Sequence, residues 1–395
     1  MAVRILLVLA VAAIFYGCGQ MGSSPEQGEK AGDARPKITT PSESAQQLRS
    51  ATPSTSGEQL KSTTAVGSDQ QLVFGIRDIG LYAMDPASAK PTRLTDGVSP
   101  AWSPDGTQIA YTEYLKEPNP AASSAPESVD PQPYKETPYI FVIDADGSGG
   151  RQLLDKASID PVWSPDGKQI AFALYEGKSY KGTNYPSCGI YFMNVDGSGT
   201  PRKLATGPGC ASSPAWSPDG EKIAYAYGEG LDESGGGTTS DVYVANAPGE
   251  KGETDHPRAL TNYTSGWAGD PDWSPNGTQI AFTHADAAGR LGGIYTMDSD
   301  GSAVTPIAPS VHWKRPEGAS EVEVADGKGG PVWSPDGNRI AYVRLVPDCT
   351  AGCGSGYSLY AQEIHITNAD GSSPILLKDF GRGREVWGLD WRALP

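Results

Sequence analysis

The sequence predicts an all-β protein, a six-bladed β-propeller closed by its N- and C-terminal strands. The main observation is a twelve-residue segment, P-x-W-S-P-[DN]-G-x-x-I-A-[YF], that occurs five times. A sixth tryptophan follows the fifth segment at a similar interval. The six repeat tryptophans are Trp102, Trp163, Trp216, Trp273, Trp333 and Trp391. Repetition at a period of about 58 residues is typical of blades built from four antiparallel strands.

Each repeat begins with a short strand that ends at its tryptophan. Ser-Pro-Asp-Gly follows, with Ser, Pro and Gly at the first, second and fourth positions that a type I turn favours. In the next strand, Ile109 and Tyr111 lie on one face and the small Ala110 lies on the other. This alternation predicts that a neighbouring sheet approaches closely over the alanine.

A third and a fourth strand complete each repeat. We predict third strands at 139–144, 189–194, 241–245, 293–298 and 362–367. Asp-x-Asp-Gly turns lead from several of them into fourth strands such as 151–154 and 202–205. A calcium loop is the alternative interpretation of these turns, but it needs six to eight oxygens and usually a distant Glu. We therefore expect turn chemistry, no metal and no cofactor.

The two ends of the repeat region complement each other. Residues 72–95 supply second, third and fourth strands without a tryptophan strand, and residues 387–393 supply a tryptophan strand alone. Together they make one blade, which closes the ring and removes exposed sheet edges. The predicted propeller covers residues 69–395.

The N-terminus has the pattern of an export signal. Arg4 precedes an apolar run over residues 5–16, so residues 1–17 are predicted to be a signal peptide. Phe15-Tyr16-Gly17-Cys18 resembles a bacterial lipobox, which implies acylation of Cys18, although Phe15 and Tyr16 depart from the residues preferred there. A plain signal peptide with an incidental cysteine is the alternative. Residues 18–68, rich in Ser, Thr, Gly and Pro, are predicted to be a disordered tether.

The charge is strongly acidic. The chain carries a net charge of −16, and residues 1–68 hold six basic and five acidic side chains, so residues 69–395 carry −17. Such a surface repels phosphate backbones, which excludes nucleic acid as an expected partner. A partner should tolerate or prefer an acidic surface.

The repeat resembles the TolB-type, WD-like propeller unit, WSPDG-x-x-IAF followed by IY-x-M-D-x-DG and R-x-L-T, over residues 70–395. The motif is specific to the repeat class and not to one function. TolB itself has an α/β domain before its propeller, where this sequence has the predicted tether. The resemblance and the lipobox together imply an exported lipoprotein, held by its lipid to a membrane and facing the periplasm or the cell exterior. We expect a monomer.

Connection lengths differ between the two ends of the blades. One end carries mostly tight turns, whereas the other, here called the long-loop face, carries connections 113–138, 175–188, 227–240, 262–270, 308–330 and 344–358. Long irregular loops are where binding residues concentrate, so we predict the partner site on this face. Its candidate anchors are Tyr114, Tyr134, Tyr180, Tyr185, Trp267, His312 and Trp313. The alternative is that these side chains pack onto their own loops.

Four cysteines remain beside Cys18, an even number that fits an exported protein. Proximity favours the pair Cys188–Cys210, within one blade, and the pair Cys349–Cys353, across a glycine-rich loop. Zinc is a weaker alternative for the second pair, since no two histidines lie near it in the sequence.

The sequence contains no obvious catalytic motif. G-x-S-x-G, H-E-x-x-H and a glycine-rich phosphate loop are all missing, and the four histidines are scattered, His365 within a predicted strand. We therefore expect no enzymatic activity and a scaffold that binds an envelope protein. A glycan- or small-molecule-binding propeller is the first alternative, and a propeller hydrolase or lyase is the second.

Overall fold

The computed structural model describes residues 70–118, 134–179, 186–204, 209–228, 239–247, 257–264, 266–285, 292–309, 312–313, 324–325, 327–347 and 360–393. All regular elements in these ranges are β-strands, and no helix in them could cross a membrane. The all-β prediction is confirmed. The predicted signal peptide and tether lie outside the described residues, as do Cys18, Tyr180, Tyr185, Cys349 and Cys353.

The strands are numbered in chain order. They are β1 Gln70–Ile76, β2 Gly80–Asp85, β3 Lys90–Thr95, β4 Val98–Trp102, β5 Gln108–Pro118, β6 Tyr134–Asp144, β7 Arg151–Gln152, β8 Ser158–Trp163, β9 Gln169–Ser179, β10 Pro186–Asn194, β11 Arg202–Lys203, β12 Cys210–Trp216, β13 Lys222–Gly228, β14 Ser240–Asn246, β15 Arg258–Ala259, β16 Trp267–Trp273, β17 Gln279–Ala285, β18 Gly293–Asp298, β19 Thr305–Ala308, β20 His312–Trp313, β21 Val324–Ala325, β22 Gly327–Trp333, β23 Arg339–Pro347, β24 Tyr360–Asn368, β25 Ile375–Arg382 and β26 Val386–Ala393.

Twenty-four of these strands form six four-stranded antiparallel blades. Blade 1 consists of β26, β1, β2 and β3, and blades 2, 3, 4 and 5 consist of β4–β7, β8–β11, β12–β15 and β16–β19. Blade 6 consists of β22–β25, and β20 pairs with β21 in the connection before it. Single parallel bridges join blade 3 to blade 4 and blade 4 to blade 5.

The ring is closed by the two ends of the propeller. Strand β26 pairs antiparallel with β1, with Trp391 opposite Leu72, as the sequence predicts. The first strands of the blades (β26, β4, β8, β12, β16 and β22) contact one another in sequence, and β22 returns to β26. These innermost strands therefore surround the central axis, and their side chains line the channel that a propeller encloses.

The hydrophobic core lies between the blades. Ile109 and Tyr111 pack against blade 1, where they meet Val73. Ala110, on the opposite face of the same strand, packs against blade 3 and contacts the cluster that contains Phe172. The predicted alternation of large and small residues is confirmed, because each sheet fills one interface with bulky side chains and presents alanine to the next.

The Ser-Pro-Asp-Gly turns have the predicted geometry. The N–H of Gly106 donates to the carbonyl of Ser103 at 2.8 Å, and Gly106 has φ of 70°. The Ser103 hydroxyl donates to Asp105 at 2.6 Å, which holds the pKa of Asp105 below its ordinary value. Asp146, in an Asp-x-Asp-Gly turn, accepts from the N–H of Ser148 at 2.8 Å. These acids serve turns, and among the described residues no group of three or more His, Cys, Asp or Glu could hold a metal ion.

Candidate functional site at the channel mouth

A backbone irregularity recurs in the first strand of every blade. The third residue before each repeat tryptophan has a left-handed φ, between 47° and 73°; these residues are Ser99, Asp160, Ser213, Asp270, Gly330 and Gly388. The pairing with the second strand shifts register beside each of them. A left-handed conformation costs a non-glycine residue about 1 kcal/mol, and bulges re-aim side chains, often next to active sites. We call this set the bulge ring.

Asp160 links three blades through the bulge ring. Its carboxylate accepts hydrogen bonds from the hydroxyl of Ser99, in blade 2, and from the backbone N–H of Ser213, in blade 4. A carboxylate offers about four lone-pair positions, so two contacts leave it with free acceptor capacity. Asp160 also keeps partial exposure to solvent, which leaves this capacity accessible.

Asp270 repeats the arrangement two blades further on. Its Oδ1 accepts from the Ser213 hydroxyl at 3.2 Å and its Oδ2 accepts from the Thr283 hydroxyl at 3.3 Å. The backbone N–H of Gly330, in blade 6, also approaches the carboxylate. The hydrogen bonds therefore run from Ser99 in blade 2 to the backbone of Gly330 in blade 6, and Gly388 in blade 1 is the bulge-ring member outside this run.

The two carboxylates have raised pKa values. Enclosure by the ring removes most of their hydration, and this loss, together with the charge of Asp270, raises the pKa of Asp160 to about 6. The loss of hydration also raises the pKa of Asp270. Two acids with shared partners and perturbed pKa values are a physical indication of a functional site.

Aromatic side chains stand at the rim above these acids. Tyr114 and Tyr175 occupy equivalent positions in the second strands of blades 2 and 3, three residues beyond the repeat aromatic residue. The Tyr114 ring meets Trp387, of blade 1, edge-on with centroids 6.2 Å apart, and the Arg77 guanidinium lies 5.0 Å from the Trp387 ring centroid. Burial raises the pKa of both tyrosines, and the charge of Asp160 raises it further.

The predicted anchors of the long-loop face fall into three groups. Tyr134 is 59% exposed and extends from the β5–β6 hairpin, as an anchor would. Tyr114 and Trp267 are half-buried. The Tyr114 ring packs on Trp387, so it lies at the channel mouth and not at a loop tip. His312 and Trp313 are described only as the backbone of β20.

Cys188 and Cys210 form a disulfide, but not within one blade. Cys188 lies in β10, the third strand of blade 3, and Cys210 begins β12, the first strand of blade 4. The expectation of an intra-blade bond is wrong because the chain crosses to the next blade between the two cysteines. His365 is 8% exposed and contacts Glu363 at 2.7 Å, so it is a packed strand residue.

Sequence reasoning missed Asp160, Asp270, Tyr175 and Trp387. Aligning the repeats on their tryptophans would have shown that the third preceding position is Ser, Asp, Ser, Asp, Gly and Gly in turn. That position shows no hydrophobic pattern. The bulge turns its side chain toward the site, and the alternation of a regular strand does not predict a bulge.

The closed ring of four-stranded blades defines a β-propeller with an acidic bulge ring. The family model of the TolB beta propeller domain matches residues 129–329, half of the chain, and the chain belongs to this family. The solved structure of TolB from Acinetobacter baumannii superposes with a TM-score of 0.52 at 18% identity, over 83% of this chain and 68% of that one. Hydrazine synthase of Kuenenia stuttgartiensis superposes with a TM-score of 0.53 at 13% identity, over 81% and 46%. Both show the propeller fold alone.

Two curated relatives share more sequence. YuxL of Bacillus subtilis, named an uncharacterized peptidase, is 29% identical over 241 residues, 52% of this chain and 33% of its own length. The Tol-Pal system protein TolB of Anaeromyxobacter dehalogenans is 34% identical over 119 residues, 30% of this chain and 21% of its own length. The chain thus spans a third or less of these two relatives.

The match to YuxL corrects one expectation from the sequence. The chain was expected to have no enzymatic activity, and this is wrong as a general inference from the propeller repeats. Repeats of this kind occur in a protein named a peptidase, so the missing nucleophile motif does not separate this chain from hydrolytic proteins.

Proposed function

We propose that the propeller is the partner-binding module of an extracytoplasmic protein anchored to a membrane through Cys18, and that it binds an envelope protein on its long-loop face. One observation carries this proposal: the strained positions, the enclosed acids and the rim aromatics converge at the same end of the ring. Residues in rare backbone conformations persist only where the surrounding structure maintains them. Such residues cluster at binding sites and active sites.

The relative named as a Tol-Pal system protein supports an envelope setting. The opposite end of the propeller consists of turns whose acids, such as Asp105 and Asp146, are already engaged as internal acceptors. That end offers a regular, polar surface. The long-loop face offers Tyr134 and the channel mouth instead.

Site-specific photo-crosslinking in native cells tests the proposed face. A benzophenone amino acid replaces Tyr134 or Lys116 on the long-loop face, and Asp146 or Asp196 on the turn face serves as the control. We expect one protein to be crosslinked from both long-loop positions and from neither turn position. Equal yields from the two ends would contradict the proposal.

The membrane anchor is tested separately. The full-length chain should enter the detergent phase on phase partitioning, and Cys18→Ser should return it to the aqueous phase, because acyl chains supply the membrane affinity. If both proteins remain aqueous, the lipid anchor is wrong while the partner face is unaffected.

A role in peptide hydrolysis is the second candidate, and the 29% identity to the peptidase-named relative favours it. The purified full chain is incubated with a mixture of fluorogenic peptides of different sequence. Turnover that depends on Asp160 or Asp270 would support catalysis at the channel mouth. No turnover at micromolar protein over hours would reject it.

A further inference from the structure

The bulge ring is chemically asymmetric around the channel. Four of its members carry polar side chains and two, Gly330 and Gly388, carry none. A Cβ built on Gly330 would meet no atom of the described residues within 4 Å, so space lies open beside it among them. The acids therefore share the channel wall with Gly330, beside which there is room for a ligand.

One buried hydroxyl group near the acids lacks a hydrogen-bond partner. Thr112 is 1% exposed, and its hydroxyl has no hydrogen-bond partner among the residues that the structure describes. The equivalent hydroxyl in blade 5, that of Thr283, contacts Asp270 and accepts from the Gly330 N–H at 3.2 Å. Thr283 thus lies between the bulge residue of its own blade and that of the next blade. The corresponding bulge residues for Thr112 are Ser99 and Asp160, so its hydroxyl points between them. A buried hydroxyl without a partner lowers stability, and a channel ligand that hydrogen-bonds to it would remove that penalty.

The rim of the channel mouth, formed by Tyr114, Tyr175 and Trp387, adds aromatic rings that can contact a cationic ligand. Tyr114 and Tyr175 flank Asp160 closely enough for its charge to affect both. Aromatic rings above carboxylates are a typical environment for ammonium groups, which are attracted to the ring faces as well as to the acids. Arg77, which lies over the Trp387 ring, is already paired with Glu385, with 3.3 Å between Nη1 and Oε2.

Deeper in the ring the acidity continues. Asp272 and Asp390 stand directly before the tryptophans of blades 5 and 1, and loss of hydration is the main cause of the raised pKa of each. The first strands thus hold four enclosed carboxylates, in a propeller of net charge −17. A cationic ligand complements this charge, whereas an acidic one would be repelled.

We propose that the channel mouth binds a lysine side chain of a partner polypeptide, with its ammonium between Asp160 and Asp270 and its methylene stem against Tyr114, Tyr175 and Trp387. This inference rests on the proposed function, since it names the chemistry by which the long-loop face would recognise its partner. Gly330 provides the space that the stem requires.

Fluorescence anisotropy with a defined probe tests the proposal. The probe is a fluorescein-labelled peptide of six Gly-Lys repeats, and its comparison is the same peptide with every lysine Nε-acetylated. We expect the full chain to bind the first in the micromolar range and the second at least tenfold more weakly. Equal binding of the two peptides, or no binding of either, would overturn the proposal.

Matched variants separate the site from general surface charge. Asp160→Asn with Asp270→Asn should weaken binding at least tenfold, while Asp146→Asn with Asp370→Asn, which removes two acids from turns at the opposite end, should change it less than twofold. Tyr175→Phe, which removes only a hydroxyl and keeps the ring that contacts the stem, should change binding less than twofold without lowering the melting temperature. Equal losses in both double variants would mean nonspecific attraction.

Two further outcomes have distinct meanings. If free spermidine competes as effectively as the peptide, charge for charge, the site takes small amines and the lysine proposal is wrong. If the Asp160→Asn, Asp270→Asn chain still crosslinks its partner from Tyr134, the proposed function stands and only the cationic site fails.

Discussion

Asp272 of blade 5 accepts a hydrogen bond from the backbone N–H of Trp333 of blade 6, with 2.7 Å between Oδ2 and the nitrogen. Asp390 of blade 1 makes the same contact with Trp102 of blade 2 at 2.5 Å. The other four blades have alanine or valine at this position. Two carboxylates thus link the first strands of neighbouring blades by hydrogen bonds, and both carboxylates lose hydration on burial.

This arrangement makes stability depend on pH. Loss of hydration, with Asp390 nearby, raises the pKa of Asp272 to about 7, far above its unfolded value of 3.8. The folded state therefore holds the proton more tightly, so the contribution to stability is fully present below about pH 4 and is lost as the pH rises through 7. The free energy of unfolding should fall between pH 5 and pH 8, by on the order of 2 kcal/mol for this group.

Asp272→Asn isolates the charge, because the asparagine oxygen can still accept from Trp333. Urea unfolding should show a flatter pH profile and higher stability than the wild type at pH 8. Asp146→Asn, in an exposed turn, should leave the profile unchanged. A wild-type slope in Asp272→Asn would show that this carboxyl does not titrate as its surroundings imply.

The disulfide between blades 3 and 4 should stabilise the ring. It spans 22 residues of sequence, and a loop of that length corresponds to about 3 kcal/mol on the chain-entropy model. Cys188→Ser with Cys210→Ser should lower the free energy of unfolding by about that amount. Reducing agent should destabilise the double variant less than the wild type, and any remaining effect would come from the predicted pair Cys349–Cys353.

Much of the fold could be predicted because each blade repeats the same local sequence pattern. The tryptophan strand, the Ser-Pro-Asp-Gly turn and the alternation around Ala110 appear in the structure as the sequence indicates. Closure by β26 could also be predicted, since the incomplete ends of the repeat region have complementary strands.

The candidate site could be predicted only in part. Loop length favours the long-loop face, and Tyr134 is exposed there, while its role as an anchor stays a prediction. Asp160 and Asp270 could not be found by alternation, because a left-handed residue breaks the two-residue period at the place where the site forms. The prediction that Cys188 and Cys210 lie in one blade is wrong for a related reason, because sequence distance does not show where one blade ends.

Closure predicts a strong dependence on Trp391. This side chain is 5% exposed and lies opposite Leu72, where the two termini meet. Trp391→Ala should cost about 3–5 kcal/mol of stability, as large aromatic truncations in cores do. Leu376→Ala, at a side chain that is 52% exposed, should cost less than about 0.5 kcal/mol. Similar losses in urea unfolding would mean that the closing strand is not part of the cooperative core.

The bulge ring makes a final prediction about close approach between blades. Gly388 and Gly381 have nearly the same φ, 73° and 69°, so alanine strains the backbone equally at both, by about 1 kcal/mol. A Cβ on Gly388 would lie 2.6 Å from the Ser99 Cα, whereas one on Gly381 would meet no atom of the part of the chain that the structure describes within 4 Å. Gly388→Ala should therefore cost about 1–3 kcal/mol more than Gly381→Ala in urea unfolding, since backbone cannot yield as a flexible side chain does. Equal costs would mean that blades 1 and 2 separate readily at the ring, and the bulges would then hold Asp160 and Asp270 less firmly than a preformed site requires.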